Sequence, residues 1–374
     1  MKSKNEIKKV IVIQVDPVLK YPPTIRLINE LCALGKEVYL LSTVTDERVK
    51  SVLPSDVKII NVGQEYRYNV SAFRKLICLR KIRAEIWKTI NGIYDDSSLL
   101  WVMSNITIKH LGKKLTKYRY NLHLFELVDE IYYFGKMPIM RLGLKRLAER
   151  AYNVIVPEYN RAHITKAWLR LSKLPLVIEN RPVKNDIIKN NEIRHSDTAR
   201  DIINKTGEKK IILYQGIVDS ERPIEKIAEA VESMEGYIFL VLTDSKTNLS
   251  MFSKTLVIPF VAPPFHLEIT SHAHIGVLLY QSVYDSFASP LNSIYCAPNK
   301  LFEYAQFGIP MIGNDIPGLH YTIDYNNMGK CVESLAKEEI VKAIQVIDAN
   351  YGIMSQNSRE FYKEDGNDTI SRAL

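Results

Sequence analysis

Cys296-Ala297-Pro298-Asn299-Lys300-Leu301-Phe302-Glu303-Tyr304-Ala305-Gln306-Phe307-Gly308-Ile309-Pro310-Met311-Ile312-Gly313-Asn314-Asp315 is the stretch whose reading decides the fold. Pro298 and Asn299 open a helix, Leu301, Phe302 and Ala305 give it an apolar face, and Gly308 stops it. Residues 309–312 read as a buried strand, with Pro317 and Gly318 closing the segment. The N-terminus of such a helix offers unpaired N–H groups and a partial positive charge, which suit a phosphate. A carboxylate one turn inside reaches hydroxyls beside that phosphate, and Glu303 is that carboxylate.

Outward from this stretch the pattern repeats. Residues 210–216 form an apolar strand ending in a Gly turn, and 223–231 a helix with Ile224, Ile227, Ala228 and Val231 on one face. Strands are expected at 237–242, 256–259 and 275–280, and a helix at about 337–348. The first half opens with a strand at 8–15, a helix at 24–34 stopped by Gly35, and a strand at 38–42, which is a βαβ unit and announces a parallel doubly wound sheet. Further strands at 57–62, 99–103, 122–125 and 154–156 alternate with helices at 71–91, 106–117 and 146–151. The connection 16–23 lies where such sheets place a ligand, and it lacks the G-x-G-x-x-G of a dinucleotide fold, which argues against NAD.

A chain of 374 residues with 46% apolar and 25% charged residues suits two soluble domains, and no apolar run is long enough to cross a bilayer. Cys32, Cys78, Cys296 and Cys331 form no C-x-x-C pair, so neither a disulfide framework nor a zinc site is indicated, and a cytoplasmic protein is expected. The net charge of +8 is uneven: residues 1–180 carry +14 and the remainder −6. An anionic partner is therefore expected for the first half. The segment 73–83 alternates cationic and apolar groups at helical spacing, Trp87 follows, and Lys109, Lys113, Lys114, Lys117 and Arg119 form a second cluster. These suit the surface of an anionic membrane, or else a solvated basic face, and they lack the aromatic interleaving on strands that nucleic-acid binding would use.

The stretch 296–315 resembles the nucleotide-sugar signature of GT-B glycosyltransferases, particularly the retaining family 4, in which a helix P-x-K-L-x-E-x-x-x-x-G-x-P leads into a strand. The runs 148–157 and 176–182 and the entry Ser271-His272-Ala273-His274-Ile275-Gly276-Val277 are similar to further family segments. The resemblance implies an α/β GT-B architecture, two doubly wound Rossmann-like domains facing across a cleft. The boundaries are an acceptor-binding domain at 1–182, a linker at 183–207, a nucleotide-sugar domain at 208–354, and a C-terminal helix within 355–374 that crosses back to the first domain.

It also implies roles. Glu303 would hold the ribose, with Asn299, Lys300 and the turn at Gly216 around the phosphates; Phe260 and Val261 would read the base, and Asn292 and Ser293 would meet the donor sugar in the loop 285–292. Arg222 stands where the family's G-R-x-x-x-x-K-G motif has its phosphate-binding Lys, and guanidinium suits a diphosphate. Two positions depart: Ile217 replaces the motif's Arg, and Tyr295 replaces a second Glu near the donor sugar. Glu126, Asp129 and Glu130, just past a strand end, compete for general-base or acceptor-binding work. No Asp-x-Asp pair for a metal stands at a strand end, and His266, His272 and His274 are a weak metal set because 271–277 matches the strand entry, so no metal and no cofactor is expected. The expectation is a metal-independent, retaining hexosyltransferase using a UDP-sugar on a glycan, glycoprotein or lipid-linked acceptor, cytoplasmic or peripheral at the inner face of the membrane. The rivals are a GT-B partner subunit without catalysis and a nucleotide-sugar epimerase of the same fold.

Overall fold

The computed structural model describes residues 6–64, 71–133, 137–183, 188, 190–261, 264–283, 289–363 and 368–374. The chain divides into two compact units, 1–183 with 366–374, and 184–365.

The first unit runs β1 (Lys9–Gln14), α1 (Pro22–Ala33), β2 (Glu37–Ser42), α2 (Glu47–Ser51), β3 (Lys58–Asn61), α3 (Ala72–Ile93), β4 (Ser98–Met103), α4 (Ser104–Leu111), β5 (Tyr120–His123), α5 (Leu144–Arg150), β6 (Asn153–Val156), α6 (Tyr159–Leu169) and β7 (Leu176–Val177). Its seven strands are parallel in the order β3-β2-β1-β4-β5-β6-β7. The apolar runs of β1 and β4 are buried along nearly their whole length, as a sheet covered on both faces demands. Paired prolines start α1, the Ser71 hydroxyl caps α3, and Glu158 accepts from the N–H groups of Asn160 and Arg161 to cap α6. The expected strand over 122–125 begins and ends two residues earlier, at Tyr120 and His123; the Leu124 N–H still bonds the Ile155 carbonyl of β6, and the Phe125 carbonyl turns to Arg161 of α6.

The second unit runs α7 (Asp197–Thr206), β8 (Lys210–Gln215), α8 (Glu225–Glu232), β9 (Tyr237–Leu242), β10 (Thr255–Ile258), α9 (His266–Thr270), β11 (Ile275–Leu278), α10 (Leu291–Ile294), α11 (Asn299–Ala305), β12 (Met311–Asn314), α12 (Pro317–Ile323), β13 (Gly329–Val332), α13 (Lys337–Ala349) and α14 (Tyr351–Lys363). Its six strands are parallel in the order β10-β9-β8-β11-β12-β13. Gly308, at φ +68, turns the chain from α11 into β12, the helix-to-strand passage expected there, with the strand starting at Met311 rather than 309.

Two expectations change. The stretch 183–207 is not all linker: α7 lies within it, capped by Ser196, and Ile188, Ala199 and Ile202 are buried in the second unit's core. The helix over 351–363 packs in the second unit, where Phe361 stacks on Phe302 at 5.9 Å. The segment that packs into the first unit's core is the next one, α15 (Asp368–Arg372) and the residue after it, through Ile370 and Ala373. No described helix is long and apolar enough to cross a membrane.

Candidate functional site

The carboxyl ends of β8 and β11 gather the second unit's charged groups. Gly216 follows β8 at φ +131, a conformation that a side-chain-bearing residue adopts only under strain, and a Cβ there would stand 3.5 Å from the Lys300 ammonium. The turn at Gly216 thus lies directly against the start of α11. Tyr214 donates from its hydroxyl to the Ile217 carbonyl and turns its ring to Lys300, whose Nζ is 4.3 Å from the ring centroid. Tyr280, just past β11, carries two cations: the Arg222 guanidinium at 4.2 Å and Lys300 at 5.7 Å. Asn314 fixes Tyr280 by exchanging hydrogen bonds with its backbone, at 2.9 and 2.7 Å.

Burial pushes the Lys300 ammonium down to about 7, with Arg222 adding to the shift and Glu303, Cys296 and Asp219 opposing it. Arg222 is half-buried and donates to the Glu221 carboxylate at 3.1 Å and to the Glu221 carbonyl at 3.2 Å. The loop carrying both is tied down by Gln281, whose N–H donates to the Glu221 carbonyl and whose side chain donates to the Ser220 carbonyl.

Glu303, one turn into α11, is buried. Its Oε2 accepts from Gln215 Nε2 at 2.6 Å, and His266 Nε2 stands 3.6 Å from its Oε1. Burial alone would raise its carboxyl, and His266, Gln215 and Lys300 outweigh that and hold it below its ordinary value. A buried, ionised carboxylate beside Lys300, which shares the Tyr280 ring with Arg222, can take hydroxyls of a ligand whose phosphates meet these cations.

Arg222, Gly216, Lys300 and Glu303 are therefore brought together. Asn299 is half-buried at the first position of α11. The Phe260 N–H donates to Asp244 Oδ1 at 3.0 Å, and the residue is 43% exposed with its ring 6.2 Å from the His266 ring. Val261 is half-buried against the second unit's core. Asn292 is half-buried in α10 and Ser293 buried beside it, while 284–288 of the expected donor-sugar loop lie outside the described residues. His272 and His274 do not join His266: His272 Nδ1 contacts the Glu268 carbonyl at 2.8 Å and His274 Nε2 pairs with Asp348 at 2.6 Å.

In the first unit, Glu126 is exposed with its Oε2 3.9 Å from Arg161, and Asp129 is exposed. Glu130 is structural: its Oε1 accepts from the N–H groups of Ile131, Gly143 and Leu144 and so caps α5. Asp16, buried past the end of β1, accepts from Ser104 Oγ at 3.0 Å, and Ser104 itself sits at φ +67. Tyr21 stacks on Phe125 at 5.3 Å, and burial, with the Asp16 and Glu126 carboxylates nearby, pushes its hydroxyl far up. Sequence reading marked the 16–23 connection but not these side chains; the signal was a lone Asp closing an apolar strand where two parallel halves of a sheet diverge.

No family model matches the sequence, and no curated protein matches it. Solved structures do resemble it. HepE of Anabaena, in a complex with UDP-glucose, superposes with a TM-score of 0.67 at 11% identity, covering 98% of this chain and 99% of that one. A glycosyltransferase from Rickettsia africae gives 0.64 at 16% identity, with 99% and 94% covered. Sucrose-phosphate synthase from Thermosynechococcus elongatus gives 0.62 at 15% identity, with 98% and 94% covered. The fold of the chain is GT-B, built of two Rossmann-like units.

Proposed function

We propose that the chain is a glycosyltransferase of the retaining family 4 type, transferring a hexose from a nucleoside diphosphate sugar, UDP by preference, to a glycan, glycoprotein or lipid-linked acceptor in surface-polysaccharide or glycan assembly. The observation that carries this is the Arg222–Lys300–Glu303 cluster at the carboxyl ends of β8 and β11 in a GT-B fold, the fold also of HepE crystallised with UDP-glucose. Glu303 accepts the ribose hydroxyls, and Lys300 and Arg222 face the diphosphate. As the bond from C1 of the sugar to the diphosphate breaks, the acceptor oxygen bonds to C1, the acceptor proton leaves with the diphosphate, and the two cations stabilise the charge released. Because that charge falls to side chains and no Asp-x-Asp pair stands at a strand end, turnover with UDP-hexose is expected to survive excess EDTA. The test is calorimetry with UDP followed by a hydrolysis or transfer assay with and without the chelator. Loss of turnover on chelation with return on Mn²⁺ would refute metal independence, and no nucleotide binding at all would refute the assignment.

A partner subunit without catalysis is the second reading. It is favoured by Ile217, 71% exposed where the family has Arg, and by Glu221 already paired with Arg222. Such a subunit would bind UDP negligibly and still capture acceptor.

The first unit's basic face supports attachment to an anionic membrane, which would place the protein at the inner face of the membrane in the cytoplasm. Phe73 is 71% exposed and Ile77, one turn on, is exposed with it, among Arg74, Lys75, Arg80 and Lys81 on α3. Arg83 ties α3 to α4 through the Lys109 and His110 carbonyls, Lys114 lies over Trp87 at 4.7 Å, and the neighbouring Lys75 adds to the burial that lowers Lys109. Each basic group near such a surface contributes about 1 kcal/mol. Co-sedimentation with phosphatidylserine vesicles is expected at low salt and lost at high salt. Sedimentation indifferent to anionic lipid would reduce this face to a solvated one.

A further inference from the structure

One turn of helix holds Glu303 from two sides. His266 and Thr270 stand four residues apart in α9 and so share a face. His266 Nε2 lies 3.6 Å from Glu303 Oε1, which makes the tautomer with hydrogen on Nε2 the one that offers the carboxylate a donor. On the other side the carboxylate fixes the amide. An ionised carboxylate only accepts, so the Gln215 amide must turn its NH₂ to Glu303 Oε2, at 2.6 Å; its oxygen then faces Thr270, whose one hydroxyl hydrogen is shared between that oxygen at 2.9 Å and the His266 carbonyl at 3.0 Å. Gln215, His266, Thr270 and Glu303 are each more than nine-tenths buried.

We propose that α9 sets the orientation of Glu303: Thr270, through the Gln215 bond to Oε2, and His266, standing 3.6 Å from Oε1, are positioning residues that restrain the carboxylate from both sides, so that the site tells a ribonucleoside diphosphate from its 2′-deoxy counterpart. The inference rests on the nucleotide-sugar reading of this site. A buried carboxylate bonded at one oxygen and flanked at the other has little room to swing to a new partner when one ligand hydroxyl is missing, and a buried acceptor left short costs affinity. A carboxylate freed from α9 adapts or admits water, and the difference between the two nucleotides shrinks.

The experiment is calorimetry with UDP and 2′-deoxy-UDP on the full chain, each variant checked by thermal melting. The wild type is expected to prefer UDP by about tenfold or more, and Glu303→Gln to abolish most of that preference. His266→Ala and Gln215→Leu are expected to narrow the ratio to about threefold or less, and His266→Gln, which restores a donor, to recover part of it. Should His266→Ala fail to fold, the nearly isosteric Thr270→Val carries the same comparison. If these variants weaken both nucleotides equally and leave the ratio intact while Glu303→Gln removes it, the positioning role is overturned and the nucleotide reading stands. If the wild type binds neither nucleotide, the nucleotide reading itself falls.

Discussion

Replacing Arg222 by Ala is expected to lower kcat for sugar transfer by about a hundred- to a thousandfold while donor binding weakens by about tenfold or less. The split follows from when the charge appears. Bound UDP-sugar carries part of its charge on the glycosidic phosphate already, and the remainder develops only as the C1–O bond breaks, so a cation facing that oxygen is worth most in the transition state. Arg222 suits the task because the Tyr280 ring, at 4.2 Å, and Glu221 hold its guanidinium in place, while Glu221 engages one terminal nitrogen and leaves other donors of the fork to a ligand. With Ile217 where the motif that this segment resembles has Arg, no neighbouring cation from that position can substitute. Arg222→Lys keeps the charge and loses the fork, and is expected to recover only part of the rate. Steady-state kinetics with UDP-hexose, or donor hydrolysis where the acceptor is unknown, provides the measurement. An unchanged kcat in Arg222→Ala would leave the residue with the single job of pinning Glu221.

The residues that turned out to cluster were legible in the sequence to different degrees, for physical reasons. Glu303, Lys300 and Gly216 could be read because helix openings, stops and strand ends leave local signatures, and because in a doubly wound sheet the carboxyl ends of the strands lie together. The strands were legible because a sheet covered on both faces needs continuous apolar runs, as in β1, β4 and β9. Short β7, and β13 with Lys330 in its middle, carry no such run and were missed. The helix α7 was passed over because its apolar stripe is only Ala199, Ile202 and Ile203 among charged neighbours; the Ser196 cap before it was the available signal. His266 was weighed as a metal ligand, whereas its partner is a carboxylate 37 positions away, a pairing that only the tertiary fold creates. Glu130 illustrates the reverse error: a carboxylate beyond a strand end looks catalytic until three backbone N–H groups are found on one of its oxygens.

Nucleotide affinity is expected to fall by up to about tenfold per pH unit between pH 7 and 9 in the wild type and to stay nearly flat in Lys300→Arg. The groups facing the Lys300 ammonium are the Tyr214 and Tyr280 rings, Arg222, Glu303, Cys296 and Asp219, and their balance together with burial puts it at about 7 in the free protein. The sign runs one way. A lysine titrates at about 10.4 in the unfolded chain, so between the folded and unfolded values the unfolded chain binds more protons, and the stability of the free protein rises with pH across that window. A bound diphosphate reverses the local balance, because two added anionic groups favour the charged ammonium and move its titration back toward the ordinary value. Binding then takes up a proton above pH 7, and affinity declines as that proton becomes scarcer. The phosphate itself does not obscure the window, since its second ionisation, at about 6, is complete below it. Arginine stays charged throughout, which is why Lys300→Arg removes the slope even if it lowers the affinity. Calorimetry with UDP in buffers of different ionisation enthalpy reads the proton uptake directly. A slope that persists in Lys300→Arg would assign the titration to another group, and no proton uptake in the wild type at pH 8 would place Lys300 away from the diphosphate.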